Sequence, residues 1–196
     1  MSLGGLVSYL GLGFLYAAAL SVLIWLAART WRGRAARWDA LALLPGLFFV
    51  MLTHHPFPDP ASLDCSEGGV APILQPFDSL SYFVRLAQRG ATVQDWMRHQ
   101  IVQATVMNFV LCVLAGIGFA RFLRTWQQAI LVGLVMSLVV EISQLTGLFG
   151  LYPCAYRTFE VDDLILNTLG VLTGFLIAPM WVRRVGLEGA AHPPSW

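Results

Sequence analysis

Long apolar runs alternate with shorter polar connections along this chain. The runs lie near residues 6–28, 39–53, 101–120, 127–149 and 163–182. At about 1.5 Å of rise per residue, each run is about long enough to cross a hydrocarbon core of roughly 30 Å as a helix. The second run is the shortest and contains Pro45 followed by Gly46. The pattern predicts an all-α, polytopic transmembrane helical bundle of about five spans, with one membrane domain over residues 1–196.

The longest connection covers residues 54–100 and opens with HHPFPDPASLDCSEGG, which is too rich in Pro, Gly and acids for regular structure. Within it, residues 76–89 predict a short helix, because Phe77, Leu80 and Val84 share one helical face. Such a helix suits the membrane interface, although an amphipathic helix packed on a core has the same pattern. Thr92 and Asp95, three residues apart, have the spacing of a capping box.

Composition supports membrane insertion: 57% of the residues are hydrophobic and only 12% are charged. Soluble domains average about 25% charged residues, so a soluble fold is disfavoured. All twelve basic residues are arginine, and eight of them lie in the first connection, in the third connection and after the last span. These arginines are Arg29, Arg32, Arg34, Arg37, Arg121, Arg124, Arg183 and Arg184. By the positive-inside rule, the N-terminus is predicted outside and the C-terminus inside.

The ends of the chain and its cysteines fit that topology. The first run has no basic n-region and no small-residue cleavage site, so it is interpreted as a retained span rather than a signal peptide. Cys65 and Cys154 fall in the two outside connections, where an oxidising compartment permits a disulfide, whereas Cys112 lies in the third span. We predict a Cys65–Cys154 bridge; the alternative is two unpaired thiols on the same side.

Polar side chains inside the predicted spans share one depth. Glu141 and Gln144 are three residues apart, and Asp163 and Asn167 are four apart, so each pair projects from one face of its helix. With Asn108 from the third span, all of them fall in the outer third of the membrane. Gly170 and Gly174 extend the stripe of Asp163 and Asn167 as a GxxxG face for close helix packing.

An ionisable side chain in a span costs about 2.5–3.5 kcal/mol at mid-membrane by insertion scales, so it usually faces a protein interior or a water-filled cavity. Glu141 therefore suggests a functional pocket, although a carboxyl group that only joins helices explains it equally well. Asp162 and Asp163 begin a helix, where carboxylates cap free N–H groups. One acid is enough for the cap, so we expect Asp163 to face the pocket.

This set of side chains suits several kinds of chemistry. Carboxylates, an arginine and amides can bind a polar head group, supply an acid and a base, or ligate a hard cation through oxygen. His54 and His55 could join the set, but adjacent histidines at the start of a loop are more often solvated. No HxxxH or CxxC spacing indicates a metal site, and no motif identifies a cofactor. Because the basic residues follow the membrane topology, nucleic-acid binding is not expected.

Two segments resemble the VanZ-like family of bacterial membrane proteins. EISQLTG (141–147) and RTFEVDDLILNTLGVLTG (157–174) are similar to the family's E-x-x-Q and R-x-F-D-x-D-D-x-x-x-N-T-x-G-x-x-x-G pattern. The matching positions are Glu141, Gln144, Arg157, Asp162, Asp163, Asn167, Gly170 and Gly174. Glu160 replaces an aspartate. ILQPFDSL (73–80) and the pair Asn108 and Gly116 resemble further family segments, although Cys112 and Leu114 depart from the pattern there.

The resemblance implies a single VanZ-like domain in a multi-pass protein of the bacterial plasma membrane, linked to the cell envelope and to reduced susceptibility to lipoglycopeptides such as teicoplanin. The leading hypothesis is an outward-facing polar pocket that engages a membrane lipid, a lipid-linked envelope component or a lipidated glycopeptide. Glu141 and Asp163 are its central, candidate catalytic carboxylates, and Arg157 is its anion contact. The further ligand-binding candidates are Asn108, Gln144, Asp162 and Asn167. Two rivals are an enzyme that modifies a lipid-linked substrate and a structural or assembly subunit.

Overall fold

The computed structural model describes residues 3–179 and Val182. Within these residues the fold is all-α, as predicted, and its only β-type pairing consists of two isolated bridges. The helices are α1 (Leu3–Arg32), α2 (Ala35–His54), α3 (Asp78–Gln88), α4 (Val93–Arg98), α5 (Gln100–Phe119), α6 (Trp126–Leu145), α7 (Gly147–Gly150) and α8 (Val161–Ile177). One 3₁₀ turn, Pro60–Ser62, lies in the long connection.

Four helices have the length and mean hydropathy of membrane spans: α1 from Val7, α2, α5 and α6. The fifth predicted run forms α8, whose 17 residues extend about 25 Å. The prediction of about five spans is therefore broadly confirmed. The predicted end of that run, at 182, and the arginines at 183 and 184 lie at or beyond the limit of the described residues.

The helices pack as a row of neighbours in the order α1, α2, α5, α8 and α6. The C-terminal end of α2 also reaches α6. We call the end of the bundle where α2 and α6 finish and α5 and α8 begin the cavity end. The opposite end, where α1 and α5 finish, is called the arginine end. A buried apolar core that includes Phe49, Cys112, Val140 and Val171 lies between the two ends.

Close backbone contact holds α5 against α8. A Cβ atom added at Gly116 would lie 2.1 Å from the carbonyl oxygen of Val171, and one added at Gly174 would lie 2.0 Å from that of Val113. Gly170 likewise faces Cys112 and the backbone of α5. The GxxxG stripe of α8 therefore packs as the sequence predicts, with Gly116 of α5 as its counterpart.

The fourth predicted span is too long by four residues. The prediction placed its end at 149, but α6 ends at Leu145 because the backbone turns sharply after Thr146. Gly147, Leu148 and Phe149 all have positive φ, and the backbone N–H of Tyr152 donates to the carbonyl of Gly147 over 2.8 Å. A glycine directly after the last helical turn is the usual signal for a helix end, and this glycine was available in the sequence.

The long connection contains the short helix predicted at 76–89, which forms as α3. None of the residues of α3 is buried, so it is not a core-packed helix. Phe77 and Leu80 are 65% and 56% exposed, which leaves an apolar face on the surface next to α5. Thr92 and Asp95 form the expected capping box at α4, and the chain then bends at His99 before α5 starts.

Candidate functional site

Two connections meet over the cavity end. Residues 69–73 of the long connection run parallel to residues 155–160, with bridges from Gly69 to Ala155 and from Ile73 to Glu160. The Ile73 amide donates to the carbonyl of Phe159 over 2.8 Å. A disulfide joins Cys65 to Cys154 beside this pairing, and Cys112 is a buried free thiol. These contacts join two segments that are distant in sequence into one covering layer.

Beneath this layer lies a cavity of about 560 Å³, lined by residues from five helices and both connections. Its apolar wall includes Leu52 of α2, Met107 and Leu111 of α5, and Leu63 and Val70 of the long connection. Its polar wall consists of Tyr9, Thr53, Asn108, Gln144, Tyr156, Arg157, Thr158, Glu160 and Asp163. The cavity therefore has a polar part and an apolar part.

Two carboxylates line the cavity. Asp163, on the first turn of α8, accepts a hydrogen bond from the side-chain amide of Asn108 over 3.1 Å. Glu160 directly precedes α8 and is half-buried. Burial, together with the neighbouring carboxylates of Asp163, Asp162 and Asp78, raises the pKa of Glu160 to about 7. Near neutral pH, Glu160 can therefore either donate or accept a proton.

The cation of the cavity is Arg157. Its guanidinium donates to the backbone carbonyl of His55. Within the described part of the chain, the two ion pairs both involve Asp39 at the arginine end, so Arg157 has no carboxylate as a direct partner. An anionic group of a ligand is thus the natural counterion for Arg157.

Glu141 lies behind the cavity wall. Its side chain is 1% exposed and is not among the cavity-lining residues. Oε2 of Glu141 accepts a hydrogen bond from the backbone N–H of Glu160 over 2.9 Å. The structure therefore separates the two carboxylates predicted as central: Asp163 lines the cavity, and Glu141 supports the segment that carries Glu160.

The predicted amides also fall in different places. Gln144 lines the cavity and donates through Nε2 to the carbonyl of Thr53 over 3.0 Å, which fixes α6 against the end of α2. Asn167 lies deeper, 1% exposed, and donates to the hydroxyl of Ser137 over 3.0 Å. That hydroxyl in turn lies 3.3 Å from the carbonyl of Asp163. Asn167 therefore joins α6 to α8 below the cavity.

Asp162 points away from the cavity. Its carboxylate accepts backbone hydrogen bonds from Phe77 and, over 2.8 Å, from Ser79 at the start of α3. Carboxylates are favourable at helix N-termini, where N–H groups lack intrahelical partners. Asp162 thus caps α3, a different helix from the one it was expected to cap.

His54 is the last residue of α2 and is buried, contrary to the simpler expectation, whereas His55 follows the helix and is half-buried. His54 is buried and bonds to Ser143 of α6 and to the carbonyl of Val50. His55 stacks against Tyr9, with ring centroids 5.4 Å apart. Among the described residues, no three His, Cys, Asp or Glu side chains come together in a way that could hold a metal ion.

Several cavity residues were not predicted from the sequence. Glu160 is the most important, and its position in the RTFEVDD segment was the available signal. No recognisable sequence pattern pointed to Tyr9, Tyr156 or Thr158. Of the seven side chains predicted for the pocket, the cavity brings together Asn108, Gln144, Arg157 and Asp163.

The helices and the cavity define a class: a polytopic helical membrane protein with a mixed polar and apolar cavity at one end. Comparison with protein families then identifies it further. The model of the VanZ/LLP1 family matches residues 14–182, which includes most of the first span, the whole second span and the motif segments. The chain belongs to the VanZ/LLP1 family. Comparisons with curated proteins and with solved structures give no match.

Proposed function

We propose that this protein binds the polar head of a membrane amphiphile in the cavity, and that the ligand is a lipid-linked envelope component or a lipidated glycopeptide. The observation that carries the proposal is the composition of the cavity wall. Arg157, Glu160 and Asp163 provide both signs of charge in one cavity of about 560 Å³. A volume of this size is in the usual range for small-molecule sites.

The charged wall suits a head group that carries both donors and an anion. Arg157 can contact a phosphate or carboxylate in a bidentate manner. Glu160 and Asp163 can accept from hydroxyl or ammonium groups, and the amides of Asn108 and Gln144 add directional hydrogen bonds. A ligand of one charge sign would leave part of this wall unpaired, at a cost in binding free energy.

The apolar wall suits the chain of such an amphiphile. Leu52, Met107 and Leu111 belong to helices that qualify as membrane spans, so their part of the cavity lies next to the hydrocarbon region. An amphiphile could then keep its chain near the bilayer while its head enters the polar part. This arrangement favours a membrane-borne ligand over a freely dissolved one.

In this proposal, the cavity end faces the outside of a bacterial plasma membrane. The four arginines Arg29, Arg32, Arg34 and Arg37 lie at the opposite end, which the positive-inside rule assigns to the cytoplasm. The Cys65–Cys154 disulfide belongs to the cavity end, and disulfides persist in oxidising compartments. Periplasmic or external substrates would therefore reach the cavity directly.

The test uses a susceptible Gram-positive host that expresses the wild type or a variant at matched membrane levels. We expect the wild type to raise the inhibitory concentration of teicoplanin but not that of vancomycin, because only the lipidated glycopeptide supplies a chain. Glu160→Gln and Asp163→Asn should lose this protection. Glu67→Gln changes an exposed carboxylate in the long connection and should retain it.

Binding is measured separately, with the purified protein in nanodiscs titrated with teicoplanin. Saturable binding that Asp163→Asn weakens at least tenfold supports the proposed site. If the wild type neither protects the host nor binds teicoplanin, the glycopeptide is excluded as the ligand. If wild type and both cavity variants bind and protect equally, the cavity is not the binding site.

A catalytic role at the same cavity is the second candidate, and the state of Glu160 favours it. Because burial and neighbouring acids raise the pKa of Glu160 to about 7, this side chain can act as a general acid or base near neutral pH. Glu160→Gln should then bind the ligand as the wild type does but form no modified product by mass spectrometry. Equal amounts of product from both proteins would contradict catalysis by Glu160.

A further inference from the structure

An apolar groove runs between α2 and α5 near the arginine end, away from the cavity. Its volume is about 370 Å³, and its wall includes Leu41, Pro45, Leu114 and Ile117. At the floor, α2 and α5 approach closely: a Cβ atom added at Gly118 would lie 2.0 Å from the carbonyl oxygen of Ala42. Both helices qualify as membrane spans, so the groove opens towards the hydrocarbon region.

The groove ends at an ionic cluster in which Arg121 and Asp39 are buried, whereas Arg32 is 54% exposed. Arg121 lines the groove, and its side chain is only 6% exposed. Nε of Arg121 lies 2.6 Å from Asp39, and Nη2 of Arg32 lies 2.9 Å from the same carboxylate. Among the described residues, the cluster therefore contains two guanidinium groups and one carboxylate, and its net charge is positive.

That excess charge is the key feature of the site. The buried pair of Arg121 and Asp39 is neutral, so the excess charge resides on the exposed guanidinium of Arg32, which can pair with an anion. Asp39 is shared between Arg32 and Arg121, so it cannot neutralise both. A further anion at this position would complete the charge balance.

A tryptophan and another arginine flank the same end of the groove. Trp38 lines the groove, and the guanidinium of Arg37 lies over its ring, 5.1 Å from the centroid. Tryptophan is enriched at the head-group level of membranes, where its ring has an apolar and a polar side. From Trp38 to Pro45, α2 rises about 10 Å, which corresponds to the outer part of an acyl chain.

From this arrangement we propose that the groove between α2 and α5 is a binding site for an anionic phospholipid. One acyl chain lies along Leu41 and Leu114, and the head-group phosphate contacts the Arg32–Asp39–Arg121 cluster. Basic pockets between transmembrane helices are suited to such head groups. The site is independent of the cavity function, because it lies at the other end of the bundle.

The test compares thermal unfolding of the delipidated full-length protein in micelles that contain equal mole fractions of phosphatidylglycerol or phosphatidylcholine. Specific binding to the folded state should raise the midpoint by roughly 5 °C in phosphatidylglycerol over phosphatidylcholine. Inorganic phosphate at the same concentration should give no such rise, since the acyl chain provides part of the binding. An equal rise with inorganic phosphate would replace the lipid with a free anion and overturn the proposal.

Two matched variants separate the groove from general attraction of lipid to surface arginines. Leu114→Trp fills the groove and changes no charge, and it should reduce the phosphatidylglycerol effect by at least half. Leu134→Trp makes the same change on an exposed position of α6 outside the groove and should retain the full effect. If all three proteins respond equally, the lipid acts on exposed arginines and the proposed site is wrong.

A second measurement does not use Leu114→Trp and therefore covers the case in which that variant does not fold. Phosphatidylglycerol with brominated acyl chains quenches nearby tryptophan fluorescence. The quenching lost in Trp38→Phe should be larger with brominated phosphatidylglycerol than with brominated phosphatidylcholine. Identical losses with the two lipids would contradict an anionic lipid at Trp38.

Discussion

The carboxylate of Glu141 accepts a hydrogen bond from the backbone N–H of Glu160, with 2.9 Å between Oε2 and N. Glu141 is 1% exposed on α6, whereas Glu160 stands at the start of α8 and lines the cavity. One buried side chain thus fixes the backbone that carries a cavity carboxylate. Glu141 therefore acts on the cavity by positioning the backbone of Glu160, and the side chain of Glu160 is the one that lines the cavity.

This relationship predicts a stability effect at Glu141. In Glu141→Ala, the amide of Glu160 loses its acceptor, and an unsatisfied buried N–H costs about 1–3 kcal/mol. Glu141→Gln retains an acceptor oxygen and should cost less. At about 2–4 °C per kcal/mol for a chain of this size, thermal unfolding in detergent resolves the difference. If Glu141→Ala unfolds at the same midpoint as the wild type, the hydrogen bond between Glu141 and Glu160 does not stabilise the fold.

Asp162 should control the order of α3. Its carboxylate accepts from the amides of Phe77 and Ser79, and charge-assisted hydrogen bonds are each worth about 1.5–3 kcal/mol. Asp162→Ala should therefore speed hydrogen exchange throughout α3 at least tenfold, while exchange in α5 is unchanged. Glu67→Gln also removes one negative charge, in the connection that contains α3, and serves as the control. Unchanged exchange at Ser79 in Asp162→Ala would contradict the capping role.

Close packing of α5 and α8 predicts that alanine substitutions at two glycines differ sharply in their effect on stability. Gly116→Ala places a Cβ atom 2.1 Å from a backbone oxygen of α8, so the helices must separate. Overpacking of this kind costs about 1–3 kcal/mol or more. Gly11→Ala on α1 meets no atom within 4 Å and should be neutral. Thermal unfolding of the two variants checks the contrast, and equal midpoints would contradict close α5–α8 packing.

The disulfide predicts how many thiols react with a labelling reagent before and after reduction. Unreduced, denatured protein should label at one thiol, Cys112, and reduced protein at three. Cys65→Ser combined with Cys154→Ser should lower the free energy of unfolding by about 2–4 kcal/mol, because a crosslink over 89 residues restricts the unfolded chain. Three reactive thiols in the unreduced protein would exclude the bridge.

Local periodicity predicted the helices and the faces on which their polar residues lie. Asp163 and Asn167 share a face of α8, and Gly170 and Gly174 continue it against α5, because side chains three and four residues apart are neighbours on any helix. The sequence could also indicate which connections share a side of the membrane. These inferences need only the helical repeat and the distribution of arginines.

The partners of each polar group could not be inferred in this way. Asp162 caps a helix whose first residues are 83 and 85 positions earlier in the chain. Glu160, rather than the expected Glu141, lines the cavity, because the path of the connection before α8 decides which carboxylate reaches it. The cluster of Asp39 with Arg32 and Arg121 likewise depends on how α1, α2 and α5 meet. Such contacts are set by the tertiary arrangement.

The raised pKa of Glu160 predicts how stability depends on pH. The pKa is about 7 in the folded protein, against an ordinary value of 4.5, so the folded state binds more protons than the unfolded state between these values. Stability from this group is therefore fully present below about pH 4.5 and is lost as pH rises through about 7. The side chain in Glu160→Gln cannot ionise, so the stability of this variant does not fall in this way as pH rises.

The measurement is the difference in unfolding midpoint between Glu160→Gln and the wild type, taken at intervals from pH 4.5 to 8.5 in the same detergent. The midpoint of Glu160→Gln should increase relative to that of the wild type as pH rises, and the difference should be constant above about pH 8. Because Glu160 is only half-buried, solvent screening will keep the change modest.

Glu67→Gln, at an exposed carboxylate, controls for loss of one negative charge, and its difference should not follow this curve. A pH-independent difference for Glu160→Gln would show that Glu160 titrates normally and would remove the basis for acid–base chemistry at this residue.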